Sequence, residues 1–123
     1  MPGNRVPKLD LETFVMTATT GKLLAEAESV FGRTLTLSIA MGKWPSDERM
    51  ASDDEPVGDP AAEDRLREAL SIARMLLEVE ALDTVQAWFC GRNPILHDRA
   101  PALVLAEDPA AVRFAARDLV AYG

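Results

Sequence analysis

Cysteine occurs once in these 123 residues, at Cys90, and histidine once, at His97. One thiol cannot close an internal disulfide, so any core must hold by packing alone; with 48% apolar residues that is feasible. The N-terminal stretch Met1–Asp10 carries Arg5 and Lys8 but no apolar segment of an export signal, so the expected setting is the reducing cytoplasm. No apolar run approaches the roughly 20 residues of a membrane-spanning helix, and no membrane association is expected. No phosphate-cradling glycine loop, metal-ligand cluster or serine in a nucleophile-elbow context is present, so neither a metal nor a cofactor is expected. Cys90 and His97 could in principle pair as nucleophile and base, but Cys90 follows Phe89 at a helix end, where a buried structural thiol is the ordinary expectation. The chain does not read as an enzyme.

Basic charge is also in short supply, with 13 Lys and Arg against 20 Asp and Glu, a net charge of −7. That excludes a nucleic-acid footprint spread over the whole molecule and suits a basic partner surface instead. A local exception is Arg33–Pro45, which contains Arg33 and Lys43 and no acidic residue.

What is present reads as helices, an all-α small bundle. Residues 1–8, with Pro2, Gly3 and Pro7, read as a loose arm. Leu11, Phe14, Val15 and Ala18 fall at helical spacing with Asp10 as a cap; Thr17–Gly21 reads as a break. Leu23, Leu24, Ala27, Val30 and Phe31 share the face of a second helix, which Gly32 ends. Arg33–Met41 is ambiguous. Leu35, Leu37, Ile39 and Met41 alternate like a strand, yet the segment also fits a short helix with Leu35 and Ile39 inward, Thr36 and Ala40 outward. As a helix it would complete a degenerate helix-turn-helix over 9–45, with Arg33, Thr34, Thr36 and Lys43 toward DNA. Thr and Ser are poor base readers beside Arg, Gln and Asn. Residues 46–59 form an acidic linker whose spacing lacks the glycine and distal glutamate of a calcium loop.

The remainder, 60–123, is one module. Asp59–Pro60 is a cap followed by a first-turn proline, starting a long helix to about Glu80 with Leu66, Ala69, Leu70, Ala73, Leu76 and Leu77 as its stripe and Ile72, Met75 and Val79 widening it. Arg65, Arg67, Glu68 and Arg74 read as a solvated face. Asp83 can cap a helix over Thr84–Phe89, and Gly91 and Pro94 break it. Leu96 returns to the core, Pro101 restarts the chain, and Asp108–Pro109 repeats the cap-and-proline device. The last helix should turn Val112, Ala115, Ala116, Leu119 and Val120 inward.

The pattern Trp88-Phe89-x-x-x-Asn93-Pro94-x-Leu96-x-x-x-x-Pro101-x-x-Val104-Leu105 resembles the C-terminal toxin-binding domain of Xre/MbcA/ParS-type antitoxins, over about residues 60–123. Val104 stands where that family has a leucine, His97-Asp98 where it has small turn residues, and Ala106-Glu107 where it has a glycine. The resemblance implies an antitoxin that neutralises a RES-domain toxin, an NAD-degrading enzyme, by covering its active site with the last helix and tail. The toxin-facing residues it implies are Arg92, Asn93, Leu96, Arg99, Arg113, Arg117, Tyr122 and Gly123. The alternatives are an autorepressor that binds operator DNA and a plain helical adaptor. A homo-oligomer, or a hetero-oligomer with the toxin, is the expected assembly.

Overall fold

The computed structural model describes residues 5–47 and 59–123, with side chains from Gly21 onward. The described residues are all-α: α1 (Arg5–Met41), α2 (Pro60–Leu76), α3 (Leu82–Cys90), a 3₁₀ turn (Pro94–Leu96), α4 (Pro101–Val104) and α5 (Pro109–Tyr122). The side chains of Leu11, Phe14, Val15 and Ala18 and most of the acidic linker lie outside the described residues.

α1 differs from the sequence expectation at its start. It begins at Arg5, inside the stretch read as an arm, continues through Thr17–Gly21 where a break was expected, and has Asp10 within it rather than at its cap. Pro7 is compatible because the first helical turn has N–H groups without intrahelical acceptors anyway. The real interruption is Gly32, at φ 79° and ψ 170°, which divides α1 into two helical segments. Only glycine reaches that conformation without strain. Arg33–Met41 is therefore helix, not strand, and it ends on Gly42 at φ 75°, whose N–H reaches the Ser38 carbonyl at 2.8 Å.

The break leaves carbonyls that the second segment cannot satisfy, and other elements take them up. Gln86 of α3 donates its side-chain amide to the Val30 carbonyl at 2.7 Å. Arg65 of α2 donates its Nε to the Ile39 carbonyl at 3.1 Å and an Nη to that of Ala40, a charged cap on the negative end of the helix dipole. Phe31, beside the break, meets Phe89 edge-on with ring centroids 5.0 Å apart, and Phe89 meets Trp88 at 5.1 Å.

α2 starts as expected, with Asp59 Oδ1 accepting from the Ala61 N–H at 3.1 Å and Pro60 in the first turn. It stops at Leu76 rather than Glu80. Its last carbonyls are taken by tight turns, Val79 N–H to Leu76 at 3.0 Å among them, and Val79 ends up exposed. Two glutamates, Glu78 and Glu80, would oppose the dipole of a longer helix. Leu66, Ala69, Leu70, Ala73 and Leu76 pack against Leu23, Ala27, Phe31, Leu35 and Ile39 of α1, while Leu77, expected in the stripe, is exposed. α3 begins at Leu82, so Asp83 lies in its first turn instead of at its cap. In α5, Asp108 caps the Ala111 N–H at 3.1 Å; Val112, Ala115 and Ala116 are buried, but Val120 is exposed.

The two α1 glycines should respond oppositely to alanine. Gly21 is exposed within the helix, and an added Cβ would meet nothing within 4 Å, so Gly21→Ala should stabilise by about 0.5–1 kcal/mol. Gly32→Ala has the same open space but a forbidden backbone, and should cost about 1–3 kcal/mol. Thermal unfolding of the pair reads both signs at once; a shift in the same direction for both would disprove the break at Gly32.

Candidate functional site

The segment that carries the resemblance folds around Asn93. Its side chain accepts the Ile95 N–H at 2.9 Å, its carbonyl accepts those of Leu96 at 2.9 Å and Asp98 at 2.8 Å, and its own N–H donates to the Arg99 carbonyl at 3.2 Å. An asparagine followed by proline makes this local loop readily: the side chain mimics a backbone acceptor and the proline fixes the next φ. Closing the loop holds His97 and Asp98 at φ 59° and 63°, left-handed positions that His and Asp tolerate better than most residues. This is where the related pattern has small residues, and the structure shows why glycine would serve there.

Most residues of the pattern are internal. Phe89, Leu96, Pro101, Val104 and Leu105 are buried, and Asn93 is nearly so. The residues between them face out. Trp88, Pro94 and Ile95, from α3 and the turn, form with Ala115, Asp118, Leu119 and Tyr122 of α5 an open groove of about 380 Å³, which Asn93 and Gly123 also line. Ile95 is 39% exposed and Tyr122 84%, so the groove presents apolar and aromatic surface to solvent.

Of the residues expected to face a partner, the structure gathers Asn93, Tyr122 and Gly123 at this groove. Leu96 is not available, because it is a core residue at 4% exposure. Arg99 is engaged by Glu107 in a two-pronged pair, one arm at 2.9 Å. Arg113 is engaged by Glu68 of α2, a bolt between α2 and α5. Arg92 and Arg117 are exposed and have no ion-pair or hydrogen-bond partner among the described residues. Trp88, Ile95, Asp118 and Leu119 were not among the expected site residues. The available signals were an isoleucine directly after Pro94, beside a leucine that the core already claims, and the spacing of Phe114, Asp118 and Tyr122 four residues apart.

The N-terminal candidates are placed differently. Leu35 to Ala40 are six consecutive buried residues, none more than 4% exposed, so this helix has no face free to enter a DNA groove. Thr36 and Ala40, expected outward, are inside. Arg33 contacts Glu28 at 3.3 Å, while Thr34 and Lys43 are exposed. Cys90, expected to be buried, is exposed, although partial burial still pushes its thiol pKa up and disfavours the nucleophilic thiolate. Among the described residues no group of three or more His, Cys, Asp and Glu side chains is placed to hold a metal ion, and no helix is long and apolar enough to cross a membrane.

Two measurements follow from this geometry. Thr36 Oγ1 is buried without a hydrogen-bond partner among the described residues, so Thr36→Val should stabilise the fold by about 1 kcal/mol in denaturant unfolding; destabilisation would mean that the hydroxyl is in use. The Glu107 carboxyl is held below the usual carboxylate range, mainly by its hydrogen bonds from Arg99; desolvation opposes this, and that residue's charge adds a smaller lowering. A lowered folded pKa means the pair's contribution is present at neutral pH and is lost as pH falls through that folded value. A carboxyl-detected NMR titration should show Glu107 titrating low, and returning to the ordinary range in Arg99→Ala. Compared with protein-family models, with curated proteins and with solved structures, the chain finds no match.

Proposed function

We propose that this chain is an antitoxin-type binding protein that acts in the cytoplasm and neutralises a RES-type, NAD-degrading enzyme by docking the last helix and the Asn93 turn over it. The observation that carries the reading is the open apolar groove between Trp88, Ile95 and Tyr122, lying within the segment that resembles the toxin-binding domain. Tryptophan and tyrosine are enriched among the residues that dominate protein–protein affinity. Arg92 and Arg117, which no acid among the described residues engages, are open to carboxylates on the partner. The operator-binding alternative has less support, since the helix that would read bases is buried from Leu35 to Ala40.

The test is inhibition of a RES-type enzyme encoded beside this chain, measured as NAD loss at increasing ratios of binder to enzyme. Ile95→Asp and Tyr122→Ala should each weaken inhibition by about 10- to 100-fold, the range for hot-spot positions. Val79→Asp, at an exposed apolar position on the α2–α3 turn outside the groove, should leave inhibition unchanged. Full inhibition by both groove variants, with helicity intact, would move the interface elsewhere; no inhibition by the unaltered chain would end the reading.

A further inference from the structure

We propose that the groove receives a cationic side chain, an arginine set between apolar residues on the partner, with Asp118 as its counter-charge; this rests on the partner-binding reading of the groove. Phe114, Asp118 and Tyr122 lie four residues apart on α5 and form one ridge along the helix. The two aromatics are 61% and 84% exposed, and the half-buried carboxylate lies between them and lines the groove.

Asp118 differs from the other carboxylates that line the helices. Glu26, Glu28 and Glu68 each meet an arginine, whereas Asp118 has no ion-pair or hydrogen-bond partner among the described residues. Its sequence neighbour Arg117 is rotated about 100° away around the helix and does not pair with it. An incoming apolar group alone would strip water from Asp118 and leave it uncompensated, and an anion would be repelled. A guanidinium satisfies the carboxylate and can lie on the ring faces of Trp88 or Tyr122, in a recess where charge attraction is stronger than on open surface. The flanking walls of Ile95 and Leu119 call for aliphatic neighbours on the incoming segment. The net charge of −7 draws such a segment in.

The test uses the full chain and two peptides, acetyl-Leu-Arg-Leu-amide and its neutral isostere with citrulline in place of arginine. In ¹⁵N NMR titrations to about 10 mM peptide, a range that reads weak binding, the arginine peptide should shift the Trp88 indole and the Ile95 amide and leave the Trp44 indole unmoved. The citrulline peptide should bind at least about fivefold more weakly, and Asp118→Asn should remove that preference. Added salt should weaken the arginine peptide selectively. Equal binding of both peptides, a preference that survives Asp118→Asn, or no shift at the groove would each overturn the inference. The peptide result is separate from toxin inhibition: arginine preference without inhibition removes the toxin reading alone, and inhibition without arginine preference removes this inference alone.

Discussion

The structure depends on how the carbonyls around a broken, buried helix are satisfied. Gly32 turns α1 sharply, and the segment beyond it, Leu35 to Ala40, is buried on every side. The helix ends on either side are part-buried, and a buried acceptor left without a donor costs about 1–3 kcal/mol. Gln86 serves the end before the break and Arg65 serves the far end, so α3 and α2 are positioned by polar contacts as well as by their apolar faces. Polar contacts are directional where hydrophobic burial is not, and they fix the register in which α2 and α3 pack on α1. Phe31 and Phe89, edge to face beside the break, fill the same junction.

This arrangement also decides which arginines are spent inside the chain. Arg65 caps α1, Arg74 reaches Glu26 of α1, Arg113 reaches Glu68 of α2 and Arg99 reaches Glu107. Surface ion pairs are individually weak, so these pairs do not explain why the protein folds. They engage Arg99 and Arg113, while Arg92, Arg117 and Asp118 have no ion-pair or hydrogen-bond partner among the described residues. A partner docking as proposed would meet charge of both signs, a pattern that selects orientation more than it adds affinity.

The sequence disclosed the elements better than their ends, and the core better than the site. Proline after aspartate marked the starts of α2 and α5 because both residues act locally: one caps an N–H, the other needs none. Thr17–Gly21 failed as a break because threonine and a single glycine are only weakly unfavourable in a helix, about 1 kcal/mol or less each, which tertiary packing can override. Arg33–Met41 was ambiguous for a physical reason: a segment buried on all sides has no polar face, so neither period stands out. Arg65, Glu68 and Arg74 read as a solvated face because partners 25 to 48 residues distant leave no mark on local spacing. The motif residues Phe89, Asn93 and Leu96 were visible in the sequence but proved internal; the exposed positions beside them carry the surface.

The two sides of the groove are built differently, one from a hydrogen-bonded loop and the other from a helix. The Asn93 loop is closed by hydrogen bonds from both its side chain and its backbone, with two left-handed residues locked inside it. Pro94 and Ile95 are thus presented in one conformation, and a partner that meets them loses little to ordering. The opposing side is the final turn of α5, where Tyr122 is 84% exposed and contacts little. Asp118 lies a full turn inside the end of α5 and is half-buried, so its carboxylate faces the loop from within the regular helix. The left-handed pair His97-Asp98 costs some strain, which the hydrogen bonds that close the loop around it offset.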